Sequence, residues 1–255
     1  MLKAMCGVAA SVAAAVIACC TVPEAALAQQ SFALGAPYGN WTGFYIGANA
    51  GFMASTDSWQ FGATRFFAQE PVPMGYAGFM VGPQAGYQYQ VGSWVFGAVT
   101  DFSLGGASAF NDCFRDRFIC STQISDVATF RGTFGYVPQS EPLAQFYLTA
   151  GLALAREFNL KISEVGPVKF ANADLLAGIA SEQVGWAVGG GVQYQVWPAG
   201  KLGPSLPGAV SVGMEFLYIG WPDNDISRGI TVGSASTVQL SAFARYMFNT
   251  PVSPY

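Results

Sequence analysis

From Trp41 onward, apolar side chains recur at every second position. In the opening run, Phe44, Ile46, Ala48, Ala50 and Phe52 fall on one set of positions, and Gly43, Tyr45, Gly47, Asn49 and Gly51 on the other. A period of two is the signature of a strand whose two faces meet different surroundings. The pattern returns to the C-terminus and predicts eight strands, at 42–52, 79–91, 93–104, 126–137, 144–155, 184–196, 209–219 and 236–248.

The predicted connections alternate in length. Gly92 and 138–142 are short and 197–208 is intermediate, whereas 53–78, 105–125, 156–183 and 220–235 are long. Up-and-down barrels of outer membranes keep short turns on the periplasmic side and long loops outside. Both termini are therefore expected in the periplasm.

The apolar face has the dimensions of a membrane band. Trp186 to Tyr194, on one face of the sixth predicted strand, climbs roughly 20 Å at ordinary strand rise and tilt. Trp94, Tyr87, Tyr89, Tyr218, Tyr246 and Phe248 lie near strand ends, where rings sit at headgroup depth. The other face carries Gln84, Gln88, Gln90, Asp101, Ser103, Arg131, Thr133, Gln193, Gln195, Glu215, Gln239 and Arg245 among glycines. A soluble barrel would put its apolar side inside; with this apolar stripe on its outer face it would expose a large apolar surface to water. The expected fold is all-β: an eight-stranded antiparallel transmembrane β-barrel with a lumen filled by side chains.

Composition agrees. Charged residues are 10% of the 255 and mean hydropathy is +0.34, too apolar for a typical soluble surface. Lys3, an Ala/Val-rich run and Ala26-Leu27-Ala28 read as a signal peptide over 1–28, followed by a lead at 29–40, the barrel at 41–248 and a tail at 249–255. A lipoprotein-like cut before Cys19 competes with that cleavage. A net charge of −4 without a basic stripe argues against nucleic acid as a partner. Outer-membrane lipid, the barrel-insertion machinery and extracellular ligands at the loops are the expected partners.

The chemistry available is narrow. The chain has no histidine, which removes Ser-His-Asp and Cys-His catalysis and His-ligated zinc. No enzyme, cofactor or metal site is expected. Asp223 and Asp225 read as a solvated turn. Cys113 and Cys120, in a polar segment of an exported chain, are expected to form a disulfide worth about 2 kcal/mol.

Four charges fall on the inward face. Asp101 and Arg131 lie on neighbouring strands at matching heights, and Glu215 and Arg245 on the last two, so the set sums to zero. A structural ion network is favoured over an ion path, because unpaired buried charge is costly and a narrow barrel needs internal cross-links.

Together, Trp41–Gly51, Phe96-Gly97 with Asp101-Phe102-Ser103, Arg131–Tyr136, Gly185–Gly189, Glu215–Tyr218 and Arg245–Phe248 resemble the small porin-family or opacity-like outer-membrane proteins of alphaproteobacteria, relatives of the OmpA barrel. The resemblance covers nearly all of 41–248. It implies an envelope or surface-antigen barrel without a known catalytic site; the competing reading is a small-solute porin. It also implies an insertion signal read by the insertion machinery at Tyr246 and Phe248, with an end at Tyr255 as the alternative. Three departures stand out: Val99 where the family often has an acid, Gly213 where it often has a base, and continuation past Phe248 to Tyr255.

Overall fold

The computed structural model describes residues 39–61, 72–113, 118–158, 161–164, 182–199, 208–222, 224–226, 230–232 and 235–249; along parts of these, only the backbone is described. The expected signal peptide, lead 29–38 and tail 250–255 lie outside them, as does Asp223.

Eleven strands are found among the described residues: β1 (Gly43–Phe61), β2 (Val72–Val91), β3 (Trp94–Cys113), β4 (Phe118–Tyr136), β5 (Ala144–Phe158), β6 (Lys161–Glu164), β7 (Glu182–Trp197), β8 (Ala209–Trp221), β9 (Asn224–Ile226), β10 (Ile230–Val232) and β11 (Ala235–Asn249). Eight are long, and each pairs antiparallel with its successor around the ring β1-β2-β3-β4-β5-β7-β8-β11. The ring closes where Phe44 meets Phe248 and Thr56 meets Ser236. Closure leaves these strands no free edge, which is what lets a sheet cross a membrane. No described helix is long and apolar enough to span one.

One end of the barrel carries tight connections. At the β2–β3 turn, Gly92 takes φ +60°, a left-handed conformation that glycine adopts without steric cost. At the other end the strands run on beyond their expected limits. Residues 53–61, 72–78, 105–113 and 118–125, expected as loop, are strand. The hairpin partners stay in register there, Ser108 opposite Gln123 and Cys113 opposite Phe118, so the ladder continues past the point where the apolar alternation fades. Short strands extend this end: β6 pairs with β4, and β10 with β1 and β9. A β-bulge between Leu104 and Ala107 inserts one residue into β3 against β4.

Alternation sets the two faces. Phe44, Phe52, Phe130, Leu148, Leu152, Val192 and Leu240 point outward, at 40–70% exposure. Their neighbours Tyr45, Met53, Arg131, Thr149, Gln193 and Gln239 are buried inside. In β7 the outward stripe gains a member, because a bulge after Gln195 leaves both Val196 and Trp197 on the outer surface.

Candidate functional site: the lumen

The lumen is layered. Toward the long-hairpin end, Met53, Tyr76, Met80, Val127, Ile219 and Trp221 form an apolar layer with small alanines. At the short-turn end Trp41, Tyr45, Val95, Val99, Val137, Ala209 and Met247 form another. Between and around these two apolar layers lie the polar side chains of the glutamine-rich face. Both layers draw on inward positions where the alternation places an apolar residue, such as Met53, Val95 and Ile219.

The central layer is built around Arg131 of β4. Its guanidinium lies 2.6 Å from Asp101 of β3 and 2.8 Å from Glu215 of β8, and all three are buried. Strand pairing explains the first contact. Register sets Thr129 directly opposite Asp101, so Arg131, two residues on, faces the same side on the diagonal. The Thr129 hydroxyl donates to Asp101 and accepts from Arg131 Nε at 2.7 Å, which locks the pair. The second contact crosses the lumen, since β5 and β7 lie between β4 and β8 in the wall. Tyr147 of β5 completes it, donating its phenol to the other Glu215 oxygen at 2.8 Å.

Of the four charges expected to form one network, these three come together and Arg245 stands apart. No carboxylate pairs with it among the described residues. Its guanidinium donates to Gln84 Oε1 at 2.9 and 3.1 Å and to Gln193 Oε1 at 3.0 Å. It also stacks over the rings of Phe243, Tyr45 and Tyr147, at 3.8, 4.8 and 5.9 Å from their centroids. Aromatic faces and amide oxygens stabilise a buried cation through their negative poles. These partners come from five strands, and only Phe243 is near Arg245 in the sequence, so no single stretch of sequence signals the cage. Inward glycines make room for it. A Cβ on Gly213 would collide with the Phe243 ring, and one on Gly86 with the Tyr45 phenol.

The remaining expected site residues can be placed only in part. Tyr246 and Phe248 lie on the outer surface of β11, with their rings edge to face at 4.8 Å. Tyr246 also accepts the Gly208 amide at 3.2 Å. The backbone register sets Cys120 opposite Asn111 and Cys113 opposite Phe118, while the cysteine side chains lie outside the described residues.

A feature missed by strand reasoning is the segment before β1. Trp41, read as the start of the alternation, is wholly buried inside the short-turn mouth. The signal that could have found it is parity, since Trp41 shares the inward set of Tyr45 and Asn49 although it precedes the expected strand.

No cluster of three or more His, Cys, Asp or Glu placed to hold a metal ion occurs among the described residues. What the geometry defines is a transmembrane β-barrel with a cross-linked lumen. The family described as outer membrane protein beta-barrel domain matches residues 12–241, and the chain belongs to it. Membership places it in the outer membrane of a Gram-negative bacterium. No curated protein matches the chain. Among solved structures, it is similar to Neisserial surface protein A, NspA, at 18% identity and a TM-score of 0.39, covering 81% of this chain and 98% of that one. It is also similar to Ail, the attachment invasion locus protein of Yersinia pestis, at 12% identity and 0.36, covering 80% and 99%. OprG from Pseudomonas aeruginosa is similar at 12% identity and 0.42, covering 83% and 99%.

Proposed function

We propose that this chain is a closed, non-conducting envelope barrel that anchors in the outer membrane and meets other molecules through its long-hairpin end. The observation that carries this reading is the Arg131 cross-link, which joins β3, β4 and β8 through the middle of the lumen. An eight-stranded barrel is only just wide enough for side chains to fill, and apolar layers lie on both sides of that cross-link. Strands of 19–20 residues in β1 to β4 support the second half of the proposal. At ordinary rise and tilt, 20 residues climb roughly 50 Å, about twice the apolar band, so a stiff wall stands beyond the membrane.

The short-turn end and both termini face the periplasm in this reading, and the hairpin of Cys113 and Cys120, closed by a disulfide, faces outward. Tyr246 and Phe248 serve as the signal read by the insertion machinery. Planar-bilayer recording of the purified protein tests the lumen claim. Electrical silence is expected, and reproducible single-channel steps would instead support a small-solute porin.

A further inference from the structure

We infer that Gly39–Thr42 is a latch poised over a polar belt, controlling the entry of water at the short-turn mouth. It rests on the fold and does not depend on which side of the membrane that mouth faces.

Four hydrogen bonds fasten the segment to three separate parts of the rim. The Trp41 amide donates to Gln90 Oε1 at 3.0 Å, and the Gln90 amide donates back to Thr42 Oγ1 at 3.0 Å. The Trp41 indole donates to the Pro142 carbonyl in the β4–β5 turn at 3.2 Å. Gln195 of β7 donates to the Asn40 carbonyl at 2.9 Å. Gly39 takes φ +106° against the Pro142 carbonyl, leaving no space for a Cβ. These contacts bring the indole into the mouth, where it has no exposure and packs with Val95, Val137 and Met247.

The belt behind the latch is short of partners. Arg245 donates to Gln193, whose amide donates in turn to Gln145 and Gln88, and this order leaves the Gln88 and Gln145 amide nitrogens with no acceptor. Thr133 Oγ1, Ser211 Oγ and Gln195 Oε1 are likewise unpartnered, and all five residues are at least nine-tenths buried. Every one lies within a few residues of a strand end at this mouth.

Buried polar atoms without partners are costly, and hydration removes the cost. Opening the latch therefore exchanges Trp41 burial and four hydrogen bonds for hydration of the belt, so the two states are closer in free energy than a dry apolar seal would allow. The Arg131 cross-link and the Met53–Trp221 layer block the path further on, and opening admits water to this half alone.

Thiol accessibility tests this. In the full-length chain with its five cysteines replaced by serine, Thr133→Cys places a probe in the belt and Ala187→Cys a probe in the far apolar layer. A small water-soluble methanethiosulfonate is added to the folded protein in lipid vesicles. Trp41→Ala is expected to raise the Thr133→Cys labelling rate at least tenfold and to leave the Ala187→Cys rate unchanged. Gln195→Ala, which releases one fastening and leaves the indole, is expected to give an intermediate rate; it decides the matter if Trp41→Ala does not fold. Equal Thr133→Cys rates with and without the latch change, or equal acceleration at both probes, would overturn the inference.

Discussion

Arg131 reaches Glu215 across the lumen at 2.8 Å, although Arg245 stands on β11, the strand next to that of Glu215. The cross-barrel partner prevails because Arg131 also holds Asp101, so one guanidinium faces two buried carboxylates, and Tyr147 donates to the second. Arg245 is turned instead toward aromatic faces and two glutamines.

Removing Arg131 strands two buried acids. Arg131→Met is expected to cost about 3–5 kcal/mol in urea unfolding from lipid vesicles, and adding Asp101→Asn and Glu215→Gln to it is expected to restore at least half of the loss. A triple variant no more stable than the single one would show that the charges do not act as a unit.

Arg245 responds to a different change. Its contacts depend on a flat cation stacked on rings, so Arg245→Lys keeps the charge and is expected to lose about 1–2 kcal/mol all the same. The same unfolding measurement reads it. Stability equal to the parent would mean that charge alone matters at this position.

Gly213 lies under the Phe243 ring, close enough that any Cβ collides. Gly213→Val is expected to destabilise by about 1–3 kcal/mol, and adding Phe243→Ala to relieve part of that loss, as overpacking at a shared site requires.

Much of this architecture is legible from alternation alone, because a membrane barrel must present two unlike faces along every strand. The outward stripe of Phe44, Val192 and Leu240 and the inward Arg131 and Glu215 follow from parity. Two things escape it. Parity gives the face of a residue but not its azimuth or partner, so the separation of Arg245 from the other charges depends on which side chains meet across the lumen. Strand ends beyond the expected limits escape too: the outward positions there include Ala54, Thr56, Gly75 and Ala77, small or polar, so the apolar contrast that marks a strand is lost although Met53, Ser55 and Tyr76 are still buried inside. Trp41 is a milder case: it shares the parity of Tyr45 and so belongs to the inward set, but it precedes the expected strand, and its seat under the rim depends on hydrogen bonds to Gln90 and Pro142 that parity does not give.

Leu148 has two-thirds of its surface exposed on the outer face of β5, a few residues from the strand centre. Leu148→Arg is expected to cost about 2–4 kcal/mol in lipid, the penalty for a charge near the bilayer midplane. Comparison in vesicles of thicker and thinner lipid would locate the position: the penalty falls as the membrane thins.

A nitroxide scan along β5 from Phe146 to Leu152 tests most directly whether the apolar stripe meets lipid and the other face the lumen. Collision with oxygen dissolved in the bilayer should be high at Phe146, Leu148, Ala150 and Leu152 and low at Tyr147, Thr149 and Gly151. A flat profile, a helical period, or maxima on the second set would contradict the barrel described.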